Sequence, residues 1–398
     1  MMQLSEVNKV LNELYIKKID EHEIIEMAKK NNQSVEACIQ NLKFALLDLK
    51  YTKEKIDSII TENSYDVVLQ ETRIKNFGEH GEVFSKYLCT SNLTKINEIP
   101  TSDLALVTGF GPTNSPTAGT LSMIFRMLEL QKKLNIYTHV IISDLGAYNS
   151  RQKPLEELIY NGKQFKNFIL NLGFDITNGE IRTHNDYDHS RVFSIASSCL
   201  SIKDFVTNDE ATAEMYKKLN LSGNDFSTMV DQTYTVSDII LPLIRDGKRG
   251  VIVSAGLEEH YYPKLSQIVM ERLNKKAGLE NSGVVGAIYG KLINGFFPYV
   301  KMSKSIPVSS INIGDSEEEI KRKIMDCDER NEAVVLQMIE LASDWSAEKI
   351  HNAKVAFLND TNKWRKVKQE YCDFFIKIKQ IWEKSKPEFG TLHDELFF

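Results

Sequence analysis

Leu104-Ala-Leu-Val-Thr108, Gly109-Phe-Gly-Pro-Thr-Asn-Ser-Pro-Thr-Ala-Gly119, the run Leu121 to Leu134, and Thr138-His-Val-Ile-Ile-Ser143 follow closely on one another. The first is a short apolar run with β-branched residues, as expected of a strand buried on both faces. The second is a glycine-rich turn. The third, rich in Leu, Met and Lys, reads as a helix, and the fourth as a second strand that ends on Asp144. Strand, turn, helix, strand is the βαβ unit of a parallel doubly wound sheet. Gly109, Gly111 and Gly119 let backbone approach a ligand closely or take positive φ. The free N–H groups and positive dipole end at about Ala118 suit a phosphate. The spacing is neither GxGxxG nor the Walker pattern, so taken alone the turn reads first as structural punctuation.

Around this core the chain has 398 residues, enough for two or three domains. Apolar residues make up 42% and charged residues 26%, which excludes disorder, collagen and a bare coiled coil. With 49 basic and 55 acidic residues the net charge is −6, so nucleic acid would have to meet a local basic face. No uninterrupted apolar stretch is long enough for a membrane span, and the first eighteen residues lack the apolar core of a secretory signal. Cys38, Cys89, Cys199, Cys327 and Cys372 are scattered and form no CxxC pair. Reduced thiols and a cytoplasmic location are expected.

Residues 1–95 read as a helical N-terminal extension, with Leu11, Leu14, Ile19, Ile24, Ile25 and Met27 at helical spacing. Its plain reading is a platform that packs on its neighbour. Residues 96–310 read as a Rossmann-type catalytic domain with a helical insertion around 151–230 and a further strand at Gly250-Val-Ile-Val-Ser254. Helical runs at 234–246 and 261–275 flank that strand. Ser316 with Glu319 has the spacing of a capping box, and 311–398 reads as a helical C-terminal domain.

The second chemical element is Lys301-Met-Ser-Lys-Ser305. Two lysines and two serines in a short loop can follow a pyrophosphate, lysine serving as a mobile point charge. Together with the glycine turn it resembles the paired HIGH-type and KMSKS signatures of class I aminoacyl-tRNA synthetases. Within that class the chain is most similar to the tryptophanyl group, with the tyrosyl group next. The tryptophanyl form of the first signature is Thr-x-Gly-Asn five residues after a proline. Here Pro112 precedes Thr117-Ala-Gly-Thr120, so Thr117 and Gly119 match and Thr120 departs.

The resemblance, which covers roughly residues 100–325, implies an enzyme that uses ATP with Mg²⁺ to activate an aromatic amino acid, tryptophan before tyrosine, and passes it to tRNA. It implies catalytic roles for Thr117, Thr120, Lys301 and Lys304, and ATP binding by Gly109, Gly111, Gly119, Ser303 and Ser305. Ser237-Asp-Ile239 takes the place of an Ala-Asp-Ile segment, which makes Asp238 the acceptor for the polar atom of the substrate ring. Glu258-Glu259 stands where the family has Asp-Gln at the substrate amino group. Val107 stands at the tyrosyl enzymes' substrate-binding tyrosine, which argues against tyrosine. A homodimer is implied as well. Two alternatives stay open: a paralogue that adenylates an amino acid for a biosynthetic or non-tRNA acceptor, and a non-catalytic regulatory homologue.

His260, beside Glu259, either lines the amino-acid pocket or packs. His184 and His189, with Asp186 and Asp188 between them, read as a solvated polar loop, and no metal is assigned. Residues 351–386 carry nine Lys/Arg against four Asp/Glu, interleaved with Trp364, Phe374, Phe375 and Trp382. This fits an RNA-binding face or, equally, an amphipathic helix whose lysines snorkel over a core.

Overall fold

The computed structural model describes all residues except 1, 14–17, 31–33, 37, 40, 41, 43–45, 47–55, 69–80, 152, 187–188, 206–225, 279–282, 298, 300, 301, 303–306 and 388–398. They fall into two compact units. One comprises 1–64, 116–122 and 292–376; the other comprises 65–115, 123–291 and 377–398.

The second unit is built on a seven-stranded sheet: β1 (Asp66–Val67), β2 (Tyr87–Ser91), β3 (Leu104–Phe110), β4 (Tyr137–Ile142), β5 (Gly179–Thr183), β6 (Gly250–Gly256) and β7 (Val284–Gly290). Its order is β1-β2-β7-β6-β3-β4-β5. The five strands from β7 to β5 are parallel, while β2 and β1 are antiparallel additions. From β3 the chain winds outward through β4 and β5, then returns to β6 and winds the other way to β7. This is the Rossmann-type doubly wound α/β topology, and the reversal lies between β3 and β6, whose pairing runs Leu104↔Gly250 to Val107↔Val253. β6 is buried along its whole length, and β3 everywhere but Gly109. That accounts for their continuous apolar sequences.

The strands at 104–108, 138–143 and 250–254 are found with end shifts of one or two residues. The sheet also includes β1 and β2, which lie inside the stretch read as helical, β5, which lies inside the supposed helical insertion, and β7, which the sequence reading did not mark. β5 is Gly-Glu-Ile-Arg-Thr, and its charges escape solvent by pairing. Arg182 bonds Glu180 at 2.9 Å, and His139 of the neighbouring β4 reaches Glu180 at 2.9 Å and Asp246 at 3.1 Å.

In the first unit the helices Met2–Glu13 and Glu21–Lys30 contribute to an apolar cluster of Leu4, Val7, Leu11, Ile19 and Ile24, against which Phe297 packs. Arg330 fixes this segment by donating to Glu23 and to the carbonyl of Lys18. Ser316, Asp328 and Ser346 each cap a helix by accepting from a backbone N–H three residues on. The helix Thr361–Lys384 begins here and runs on into the second unit. Its aromatic residues Trp364, Tyr371, Phe375 and Trp382 are buried, and Trp364 donates its indole N–H to Glu332. The core reading therefore holds for Trp364, Phe375 and Trp382, which have no face for unstacked bases, while Phe374 is half-buried and stacks on Tyr371 with centroids 5.8 Å apart. All five cysteines are free thiols.

Candidate active site

A cavity of about 160 Å³ opens at the carboxyl ends of β3 and β6, where the winding reverses. Gly109, Gly111, Asp238, Glu258 and Glu259 are all among its lining residues. Thr108 ties the two strand ends together by donating to the carbonyl of Ser254 at 2.9 Å. Neither Gly109 nor Gly111 has positive φ. A Cβ on Gly111 would meet no protein atom within 4 Å, and one on Gly109 only the Ile141 carbonyl at 3.7 Å. Glycine here leaves open volume rather than relieving strain. Glu258 and Glu259 lie in a single 3₁₀ turn, Leu257–Glu259, that β6 runs into.

Asp238 comes from the helix Phe226–Arg245, and Asp231 and Thr235 reach the same cavity from one helix face. Its side chain is 7% exposed. Oδ2 lies 2.8 Å from His184 Nε2, and Oδ1 takes a longer bond of 3.4 Å from Arg182. Burial pushes the Asp238 carboxyl up, but the charge and hydrogen bond of His184, with Arg182 behind, hold it below its ordinary value. The same pairing works in reverse on His184. Burial draws its pKa down, and Asp238 and Asp144 more than restore it.

His184 and His189 are therefore not a solvated loop. They are 3% and 5% exposed, and Tyr234 stacks on His184 with centroids 4.7 Å apart. The solvated reading fails because their partners lie far away in sequence. Ligand atoms of His184, His189 and Asp238 lie within 4.8 Å of one another, as a metal site would require. The guanidinium of Arg182 already stands against Asp238, so a protein cation meets that charge. Asp188 lies outside the described residues, and Asp186 is exposed beside Lys166. His260 is buried outside the lining, with Nδ1 3.1 Å from the Tyr65 hydroxyl.

No family model matches this sequence, and no curated protein does. Solved structures do. A tryptophanyl-tRNA synthetase homolog from Entamoeba histolytica superposes with a TM-score of 0.61 at 13% identity, over 85% of this chain and 94% of that one. The tryptophanyl-tRNA synthetase of Aeropyrum pernix gives 0.60 at 18% identity, over 84% and 98%. A tyrosyl-tRNA synthetase from Archaeoglobus fulgidus gives 0.58 at 14%, over 77% and 98%. This chain has the tryptophanyl/tyrosyl class I synthetase fold.

Thr117–Thr120, read from the sequence as the first signature, stands at the opening of the helix Ala118–Leu134, and that opening belongs to the first unit. Ala118 donates to the carbonyl of Ile311, Ile313 donates to that of Pro116, and Thr117 forms a bridge with Asn312. The Thr117 and Thr120 hydroxyls are 3.4 Å apart, and Thr117 Oγ1 accepts from the Thr120 N–H in the manner of a helix cap. Gly119 sits in the first turn, where a Cβ would make ordinary contact with Thr117. This opening is strapped to residues 311–313, a few positions beyond the KMSKS run. Lys301, Ser303, Lys304 and Ser305 themselves lie outside the described residues. Sequence reasoning missed Arg182 and Asp231 and took His184 for a solvated residue. For Asp231 a signal existed: Asp231, Thr235 and Asp238 recur at one-face helical spacing.

Proposed function

We propose that this chain is an ATP-dependent ligase that activates an aromatic amino acid, tryptophan in the first place, as its aminoacyl adenylate and transfers it to tRNA. What carries the reading is the cavity at the β3/β6 switch point, acidic where an ammonium would sit and open at Gly111. The fold's likeness to aminoacyl-tRNA synthetases supports it.

The amino-acid carboxylate attacks the α-phosphorus of ATP. A P–O bond forms to the carboxylate as the bond to the bridging oxygen breaks, and pyrophosphate leaves with that electron pair. A terminal ribose hydroxyl of tRNA then attacks the acyl carbon, losing its proton as AMP departs. No protein nucleophile is needed; positioning and charge stabilisation suffice. Glu258 and Glu259 hold the ammonium and Asp238 accepts the ring N–H. Gly109, Gly111 and Gly119 give the nucleotide close approach to backbone. Lys301, Ser303, Lys304 and Ser305 follow the pyrophosphate. Thr117 and Thr120 put two hydroxyls at the opening of the helix, where they would meet the phosphates of the nucleotide, and Mg²⁺ would share the phosphate charge when bound.

Pyrophosphate exchange with each of the twenty amino acids tests this. Exchange with tryptophan, followed by charging of bulk tRNA, supports the full reading. Exchange without charging moves the acceptor to another molecule, as Glu258-Glu259 in place of Asp-Gln would favour. No exchange with any amino acid leaves a regulatory homologue. A homodimer and a cytoplasmic location belong to the same proposal. No described helix is long and apolar enough to cross a membrane.

A further inference from the structure

We propose that His184 is the positioning residue for Asp238: its Nε2–H holds the carboxylate in the orientation that reads a donor on the substrate side chain. The proposal rests on the amino-acid site proposed above.

His184 is not among the lining residues of the cavity, so it acts through Asp238. Its ring is held from three directions. Its backbone N–H donates to Asp144 Oδ1 at 2.9 Å, where β5 ends. Tyr234, four residues before Asp238 on the same helix, stacks on one ring face with an interplanar angle of 21°. His189 meets the ring edge-on, with centroids 4.8 Å apart. Among the described residues His184 Nδ1 has no hydrogen-bond partner, so the ring's one short polar contact is the 2.8 Å bond to Asp238. A neutral imidazole making that bond carries its proton on Nε2.

A carboxylate with one oxygen on His184 keeps lone pairs for a ligand, and these point only where the imidazole lets them. Without the imidazole the buried acid can rotate, or take up a proton and turn from acceptor to donor. Either change abolishes its preference for a ring that carries an N–H. Arg182, with its longer bond of 3.4 Å and its share in the Glu180 pair, supplies charge without fixing the torsion. A site that hydrogen-bonds a substrate N–H rejects analogues lacking one, because the acceptor is left unpaired. Selectivity for tryptophan over phenylalanine therefore depends on His184.

Two variants separate the hydrogen bond from the packing. His184→Phe keeps a flat ring against Tyr234 and deletes the donor. His184→Gln loses the ring and keeps an N–H near the Nε2 position. Amino-acid affinity by calorimetry and pyrophosphate-exchange kinetics are read on the full chain. We expect His184→Phe to weaken tryptophan about tenfold or more and to collapse its advantage over phenylalanine, with KM for ATP within about twofold. We expect His184→Gln to recover most of the discrimination. A His184→Phe enzyme that still discriminates overturns the proposal. So does a His184→Gln enzyme as impaired as His184→Phe, since shape and not the donor would then matter. Wild-type protein that binds tryptophan selectively without exchanging pyrophosphate fails the adenylation reading alone, and the binding ratios still judge His184. Wild-type protein with no preference for tryptophan overturns the positioning role.

Discussion

Arg126 fills the space that a side chain on Gly290 would need. A Cβ at that position would come within 2.6 Å of Arg126 Nη1, with other guanidinium atoms nearer still. The guanidinium is 3% exposed, donates to the carbonyl of Lys291 at 2.8 Å and lies over the Tyr87 ring. β7 ends in glycine because the cation occupies the adjoining volume. Gly290→Ala is expected to lower stability by about 1–3 kcal/mol. In an Arg126→Met background the same substitution should cost much less. Additive melting shifts in that double-mutant cycle would refute the packing account.

Gly111 gives the opposite expectation. A Cβ there meets nothing in the protein, so Gly111→Ala should leave the melting temperature within about 1 °C. If the open volume belongs to the ligand, KM for ATP or the amino acid should rise about tenfold. Unchanged kinetics would take Gly111 out of the binding site.

The strands that were legible, β3, β4 and β6, each carry an unbroken buried aliphatic run, Leu104–Val107, Val140–Ile142 and Val251–Val253, and that run marks them. β7 is Val-Val-Gly-Ala-Ile-Tyr-Gly, and its small residues weaken the strand signal; they are there because neighbours press on them, Arg126 at Gly290 and Ile96 at Gly286. β5 carries Glu180 and Arg182, which look like a loop until His139 and Asp246 arrive from other elements. The site divides in the same way. Gly109, Gly111, Asp238 and Glu258-Glu259, which line one cavity, were singled out by spacing and resemblance. His184 and Arg182 were not, because a buried polar residue is explained by partners many positions away in the chain.

Acid stability carries a signature of two ion-paired carboxylates, Asp204 beside Arg272 and Glu180 beside His139 and Arg182. The hydrogen bonds and charge of Arg272 hold Asp204 at about 2. Burial would raise Glu180, but His139, Arg245 and Arg182 bring it to about 2. Both folded values lie below the unfolded ones of 3.8 and 4.5, so the stabilisation is complete above those values and drains as pH falls toward 2. Arg272→Met should flatten the acid limb of a melting-temperature profile between these limits. The change should be about 1 kcal/mol, since Arg272 is partly exposed and solvent screens the pair. An unchanged acid limb would show that the pair adds nothing to folding.

Lys304 tests the pyrophosphate clamp without reference to any geometry. Lys304→Ala should slow adenylation at least about tenfold, about 1.4 kcal/mol in barrier, and leave amino-acid affinity intact. A variant with normal turnover removes the clamp role.

The helix Thr361–Lys384 separates charge from aromatic surface in any meeting with RNA. Trp364 and Phe375 are buried, whereas Lys363, Arg365 and Lys366 are exposed on its first turns. Lys368, read from sequence as part of the same basic run, is buried and bonded to Glu332 at 2.9 Å, so it offers no charge outward. If the first turns of this helix meet tRNA, they do so through phosphates and not by stacking on Trp364 or Phe375. Replacing Lys363, Arg365 and Lys366 together by glutamate should weaken tRNA binding about tenfold or more at low salt. It should also reduce the slope of log affinity against log salt by about 0.7–0.9 for each phosphate that is no longer neutralised. Trp364→Phe should lower the melting temperature, because its hydrogen bond to Glu332 is gone, and leave the salt slope untouched. A charge-reversed helix with unaltered tRNA affinity would place the RNA on another surface. A Trp364→Phe variant that no longer binds RNA while staying folded would restore the stacking role that burial argues against.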